Sequence, residues 1–316
     1  MKCKLLAALG IVYVVWGSTY LAIAVADRTL PPLLMLSVRF LLAGALLYGW
    51  SWRRGDVRAA RIGRREWGAA AIVGGLLLFV DTGGVAWAEQ RVASGTTALL
   101  VASVPLFSAL IDRTVFGIRL SLGAIAGIAI GLFGVAVLVG PSAHIDPVGA
   151  GVILAAAFAW AAGSAYARVA PLPEAPFLSA GMQMLAAGAL LAAGGAATGE
   201  LGRVHPGAIS ASSALAFAFL VVFGSIVAYT AYGWLLRSDA PSVLVSTYAY
   251  VNPAVAVLLG WAFVGERIGG AELAAGALIL ASVGLLFRGG EARAAEAEPL
   301  PEPALVAELD ELPRAA

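Results

Sequence analysis

The sequence predicts an all-α integral membrane protein, with ten transmembrane helices arranged as two inverted five-helix repeats. Three observations carry this. Of the 316 residues 61% are hydrophobic and 12% charged, and the mean hydropathy is +0.91. A soluble domain is nearer ~45–50% apolar and ~25% charged. The apolar residues fall into ten windows of about 20, enough to cross a ~30 Å hydrocarbon core at 1.5 Å per residue. Lys and Arg collect on one side of the resulting topology.

The windows are Leu5–Val25, Leu33–Trp52, Trp67–Ala88, Gly95–Phe116, Ser121–Val139, Val148–Arg168, Pro176–Thr198, Ser213–Leu236, Ser242–Val264 and Gly270–Phe287. The first imitates a signal peptide, with Lys2 and Lys4 ahead of an apolar run and Ala22-Ile23-Ala24 resembling a cleavage site. A counterpart in the second half argues for a retained helix. With the N-terminus in the cytoplasm, 15 Lys and Arg residues fall inside, 4 outside and Arg39 within the membrane. This asymmetry orients both termini inward. The loop from Arg53 to Glu66 holds six of the 15 and reads as a topology anchor. Residues 289–316 read as a disordered acidic cytoplasmic tail.

Composition also excludes function classes. A net charge of +1 gives no case for nucleic acid. The single cysteine, Cys3, rules out an intrachain disulfide and a cysteine metal cluster. His144 and His205 fall in predicted loops, so no histidine metal motif exists. There is no Walker motif. Within the spans no paired carboxylates, histidine cluster or activated nucleophile suggest an enzyme. No filter loop or charged ring suggests a channel. No cofactor or metal is implied. The expected partners are a lipid bilayer and a small-molecule substrate.

The two halves repeat. "RFLLAGALL" (39–47) resembles "QMLAAGALL" (183–191) at an offset of 144, which also maps Trp16 onto Trp160. Pro105 matches Pro253 at offset 148, and Trp87 matches Trp234 at 147. The units are 5–139 and 146–288, each of five helices. Five is odd, so the second unit enters the membrane from the opposite side. Inverted repeats with a midplane site between them characterise secondary transporters.

The midplane residues form the candidate site. Trp16 and Trp160 sit near the centres of their spans, although Trp prefers the interface. Hydroxyls lie beside them: Ser18, Thr19 and Tyr20, then Ser164 and Tyr166. Cavity lining is one reading and core packing the other. Pro105 and Pro253 lie about eleven residues into their windows. Each removes an N–H and frees a carbonyl, a break tolerated where it faces protein or water. Asn252, with Tyr248 and Tyr250 before it, adds polar groups there. A simple packed kink is the alternative. The candidate substrate cavity is thus Trp16, Ser18, Tyr20, Trp160, Ser164, Tyr248 and Asn252, with helix breaks at Pro105 and Pro253.

These residues also carry a resemblance. "VVWGSTYLAI", "PPLLMLSVRFLLAG", "AEQRVASGTTALLVASVPLF", "WAAGSAYAR" and "STYAYVNPAVAVLLGWAFVGERI" resemble the EamA-type transporters of the drug/metabolite transporter superfamily, particularly their YedA-like inner-membrane branch. The resemblance covers about residues 5–288. It implies ten helices in two inverted EamA repeats, cytoplasmic termini and alternating access around a central cavity. It further implies export of amino acids, metabolites or toxic compounds. A vestigial transporter acting as a sensor or scaffold is the alternative.

Two charges remain inside the membrane. Arg39 is about six residues down the second helix, roughly 9 Å. Asp81 is about seven residues from the end of the third, roughly 11 Å. Similar depth suggests an ion pair, either gating or static and structural, and Asp81 is the one buried carboxylate that could carry a proton. Arg39 could instead grip a substrate carboxylate with its two-pronged guanidinium. Glu89 and Glu266 are expected to be solvated rim charges, and Asp112 and Arg113 to snorkel at the inner boundary. Gly123, Gly127 and Gly131 form a small-residue stripe. Packing within the chain and a homodimer are the two readings, so the chain is a monomer or a possible homodimer.

Overall fold

Proline and short polar residues set most of the helix starts. The computed structural model describes residues 2–60, 62–92, 97, 100–118, 120–139, 146–259, 262 and 270–294. Helix α1 spans Lys2–Ala26, α2 Pro32–Arg54, α3 Arg64–Ala88, α4 Val104–Thr114 and α5 Leu122–Val139. Then come α6 (Pro147–Val169), α7 (Pro176–Ala197), α8 (Ala211–Leu236), α9 (Ser242–Val245), α10 (Tyr248–Leu259) and α11 (Gly270–Ala294). No strand occurs among the described residues.

Proline stands in the first turn of α2, α4, α6 and α7, where its missing N–H has no intrahelical partner to lose. Asp146 caps α6 by accepting from Gly149 N at 2.6 Å. Glu200, 2% exposed, caps α2 from a distant turn, accepting from Leu33 N and Leu34 N at 3.3 and 2.9 Å. A carboxylate at a helix N-terminus also complements the helix dipole. Gly55 closes α2 in the left-handed region, φ 85°, which glycine enters without a steric penalty.

Six helices among the described residues are long and apolar enough to cross a membrane: α1, α2, α3, α6, α7 and α8. Two shorter apolar stretches, Leu122–Val137 and Leu273–Leu286, lie in α5 and α11. Elements α4, α9 and α10 occupy parts of two further predicted spans, in which residues 95–96, 98–99, 260–261 and 263–264 lie outside the described ones. The outer surface is apolar. Leu122, Leu215 and Leu280 are 85%, 74% and 72% exposed, a surface suited to lipid rather than water.

Helix α2 lies along α7, α5 along α11, α1 against α10 and α8, and α6 against α3 and α4. The α2–α7 contact needs glycine. A Cβ on Gly44 would stand 2.9 Å from the Gly181 carbonyl oxygen. The predicted glycine stripe of α5 divides. A Cβ on Gly127 would meet Leu286 at 2.8 Å and one on Gly131 would meet Tyr250 at 2.6 Å, whereas Gly123 faces only the nearby Ser121 hydroxyl. Two of the three therefore serve packing within the chain.

Two features were not legible beforehand. The centres of α3 and α8 are π-helical, over Gly75–Gly83 and Leu220–Tyr229. Such stretches are rare and concentrate at functional sites. Within the first, the Thr82 hydroxyl donates to Leu77 O, five residues back, at 3.2 Å. The last helix also continues to Ala294, past Gly289, where the tail was expected to begin. Ala, Glu and Arg are good helix formers, which is why the helix does not stop there. Residues 295–316 of that predicted tail lie outside the described residues.

Candidate functional site

Four aromatic rings from four elements meet in the interior: Trp16 (α1), Trp160 (α6), Tyr232 (α8) and Tyr248 (α10). Every pair is in contact, with ring centroids 5.0–6.1 Å apart. Several pairs are edge-to-face, the geometry the ring quadrupoles favour. Trp16 and Trp160, read as lining a cavity or packing as core, are brought together ring against ring, and neither stands in the wall of the cavity described below. Tyr248 joins them. Tyr232 was not anticipated; its signal lay in "AYGWLL", two residues before a Trp already matched to Trp87.

The polar edges of this cluster are satisfied internally. The Trp160 indole donates to Tyr232 Oη at 2.8 Å. Ser164 gives its one proton to Trp160 O at 2.6 Å. The 2.7 Å contact between Ser164 Oγ and Tyr232 Oη must then have Tyr232 as donor. The Trp16 indole donates to Gly224 O at 3.2 Å, in the π stretch of α8. Ser18 and Thr19 donate to Val15 O and Trp16 O, both at 2.7 Å. With its amide nitrogen toward them, Asn252 donates to Tyr13 O and Tyr248 O at 3.3 and 3.1 Å. These residues brace the partition. The Tyr20 side chain lies outside the described residues.

The predicted breaks are placed differently from each other. The chain turns at 102–103, just ahead of Pro105 in the first turn of α4. Pro253 lies inside α10, and the turn at 246–247 comes well before it.

Beside the rings lies a cavity of about 140 Å³. Its inner wall holds Tyr232, Tyr229, Gln183 and Ser179, and Glu174 and Arg237 stand at its mouth. The mouth is therefore at the end of the bundle where α6 and α8 finish and α7 begins. The Tyr229 hydroxyl donates to Gln183 Oε1 at 2.7 Å, and Gln183 Nε2 to Ser179 Oγ at 3.0 Å. Arg237 is held by the carbonyls of Pro173 and Leu172 at 2.7 and 2.9 Å. Gln183 was visible beforehand only as the repeat partner of Arg39.

Arg39 and Asp81 do not form an ion pair among the described residues. Arg39 is 5% exposed. Its Nε donates to Ser225 Oγ at 2.8 Å, and its guanidinium stands 5.0 Å from the Phe40 ring centroid. It fills the space left by Gly224, where a Cβ would lie 2.8 Å from Nη2. The reason is packing. The Arg39 helix meets the π stretch of α8, whereas the π stretch bearing Asp81 packs on α6 and α7. Both π stretches reach the site, one through Leu77 and one through Tyr229 in the cavity wall and the Trp16–Gly224 bond.

Two boundary expectations are revised. Asp112 does not snorkel: it is 4% exposed, pairs with Arg168 Nη1 at 3.0 Å and accepts a short bond from Ser242. This ties α4, α6 and α9 together at the cavity end of the bundle. Arg113 does face outward. Glu89 is half-buried rather than a free rim charge, and Glu266 lies outside the described residues.

Burial, and then the Asp27 charge, push the Glu89 carboxyl up to about 7. Burial, and then the Glu200 charge, raise Asp27 to about 6. Unfolded Glu and Asp titrate near ~4.3 and ~3.9. Between those values and the folded ones, the folded protein binds protons that the unfolded chain has released. Stability therefore falls as pH rises from about 4 to about 7 and then levels off. The melting temperature in detergent is expected to drop between pH 5 and pH 7.5, and Glu89→Gln to flatten part of that drop. A Glu89→Gln profile parallel to the parent's would show that this carboxyl is not responsible.

Comparison with known proteins follows the same lines. The model of the EamA-like transporter family matches residues 4–140 and again 147–288. The chain is 42% identical over 282 residues to the "Uncharacterized inner membrane transporter YedA" of Escherichia coli K12, covering 88% of this chain and 89% of that protein. It is 26% identical to a "Probable amino-acid metabolite efflux pump" of Salmonella typhimurium, over 86% of this chain and 91% of the other. A crystal structure at 23% identity superposes with a TM-score of 0.74, covering 90% of this chain and 99% of its own, which shows a shared fold.

Proposed function

The chain belongs to the EamA-like transporter family, and on that premise we propose that it is a secondary transporter exporting small organic solutes by alternating access around a midplane cavity. Amino acids, metabolites and drug-like compounds are the substrate classes this reading admits. The chain is a multi-pass protein of the inner membrane, like its 42%-identical relative. Both termini face the cytoplasm in this reading, as the Lys and Arg distribution requires.

The observation that carries the proposal is a cavity open at one end of the bundle whose inner wall includes Tyr232, one of four rings packed together in the interior. A transporter must present its site to one side while sealing it from the other, and this arrangement supports that reading. The packing supports two inverted repeats of five helices each. Helix α2 packs on the π stretch of α8 as α7 packs on that of α3, and α1 meets α10 as α6 meets α4. Each half thus grips the other through equivalent elements. The two matches to the family model point the same way. In this arrangement Trp16, Trp160, Tyr232 and Tyr248 form the partition, and the π stretches are where its helices can change register.

The single cysteine makes a direct test practical. Removing it as Cys3→Ser and adding Ser179→Cys places one thiol in the cavity. A membrane-impermeant maleimide is expected to react at least tenfold faster in inside-out vesicles than in right-side-out ones. Equal rates from both sides would mean an open pore and contradict the proposal.

A further inference from the structure

The hydrogen-bonding capacity left unused around the cavity specifies its occupant. The aromatic partition offers none, because every indole N–H and the Ser164 and Tyr232 hydroxyls are already engaged. Three polar groups remain on the cavity wall. Gln183 uses one amide hydrogen on Ser179 Oγ and has a second. Ser179 accepts that bond, and its own proton has no partner among the described residues. Tyr229 gives its proton to Gln183 and keeps a free oxygen lone pair. Gln183 and Ser179 are 6% and 7% exposed, so these groups sit in a largely dry setting where an unmade bond is costly.

Charge is missing from the same wall. Arg39 and Asp81 do not line the cavity, and the charged residues that do, Glu174 and Arg237, stand at its mouth. Arg237 is spent on two carbonyls. An ionised head group seated beside Gln183 would lose its water and find no counter-charge, the costly case for a buried ion. The remaining wall is largely apolar, from Leu77, Leu172, Pro176, Leu236 and the Trp234 ring, whose indole N–H is its one other donor. The volume, about 140 Å³, is close to the roughly 150 Å³ of an apolar cavity that holds benzene.

Resting on the transport reading above, we propose that Gln183, Ser179 and Tyr229 form the solute-recognition cluster, and that it selects an uncharged solute with a carboxamide-type head over a carboxylate or an ammonium. The amide oxygen accepts from the free Gln183 N–H and the Ser179 hydroxyl. The amide N–H donates to Tyr229 Oη. The apolar body of the solute lies against Leu77, Pro176 and Trp234. A carboxylate could use the two donors but would face the Tyr229 oxygen lone pair with no proton to offer. An ammonium would find lone pairs on Tyr229 Oη, Gln183 Oε1 and Ser179 Oγ but no counter-charge in the inner wall.

The test is equilibrium dialysis of the purified full chain against three probes that differ only in the head group: benzamide, benzoate and benzylamine, at pH 7. Saturable benzamide binding, at least tenfold tighter than for the other two, is expected. Ser179→Ala and Gln183→Leu should each weaken it at least fivefold. Should Gln183→Leu fail to fold, Ser179→Ala decides alone. The proposal is overturned if benzoate or benzylamine binds as tightly as benzamide, if none of the three binds to folded protein, or if binding survives the substitutions. Counterflow of a charged solute, together with such a result, would leave the transport reading standing and remove only this one.

Discussion

Gly74→Ala is expected to leave little folded protein in detergent. A Cβ at this position would lie 2.2 Å from the carbonyl oxygen of Gln183 and 2.9 Å from its carbonyl carbon. Both are backbone atoms of α7, so no side-chain rotation relieves the clash. Helices α3 and α7 would have to separate just where the recognition cluster is assembled. Overpacking typically costs about 1–3 kcal/mol, and an obstacle made of backbone belongs at or beyond the top of that range. The neighbouring glycine provides the control. At Gly75 a Cβ would meet only Leu190 Cδ1 at 3.6 Å, an ordinary contact, so Gly75→Ala should stay within about 1 kcal/mol of the parent. Thermal melting of both variants checks the pair. Equal effects would show that the α3–α7 approach is looser than described.

Asp112→Ala should cost about 3–5 kcal/mol, the range for removing one partner of a buried ion pair. It strands the Arg168 guanidinium and the Ser242 hydroxyl, both of which bond to the two oxygens of this carboxylate. The loss comes mostly from the buried charge left behind, so removing that charge as well should recover much of it. Asp112→Leu with Arg168→Met is expected to melt higher than Asp112→Ala alone. A double variant less stable than the single one would mean that the pair contributes by attraction rather than by mutual neutralisation. Either way, α4, α6 and α9 lose their tie at the mouth of the cavity, and solute access should change with it.

Much of this protein is legible in its sequence, because the bilayer imposes simple rules. Helix spans follow from apolar length, and helix starts from Pro32, Pro147 and Pro176. That Trp16 and Trp160 form a symmetric pair in the interior followed from a repeat offset and from the oddity of Trp away from the interface, but not that their rings touch each other. Side-chain direction was less accessible. Arg39 and Asp81 share a depth, but depth says nothing about which neighbour a helix face meets, and the π stretches alter that face. A π stretch has no residue signature of its own; glycines flank one at Gly74 and Gly84 and lie within the other at Gly224. Tyr232, Gln183 and Ser179 were missed for a related reason. Each is a common residue in an apolar helix, and its importance comes from the hydrogen bonds left over after folding. Asp112 looked like a boundary charge because its partner, Arg168, comes from the other half of the chain.

The most direct test of the central claim is counterflow in proteoliposomes. Vesicles are preloaded with a mixed panel of unlabelled primary amides, amino acids, sugars and nucleosides and then diluted into trace labelled solute. The account predicts saturable accumulation of at least one solute well above protein-free vesicles, lost in Trp16→Ala and Trp160→Ala variants that remain folded. Folded protein that gives no counterflow across the panel, or accumulation unchanged when the two tryptophans are removed, would contradict it.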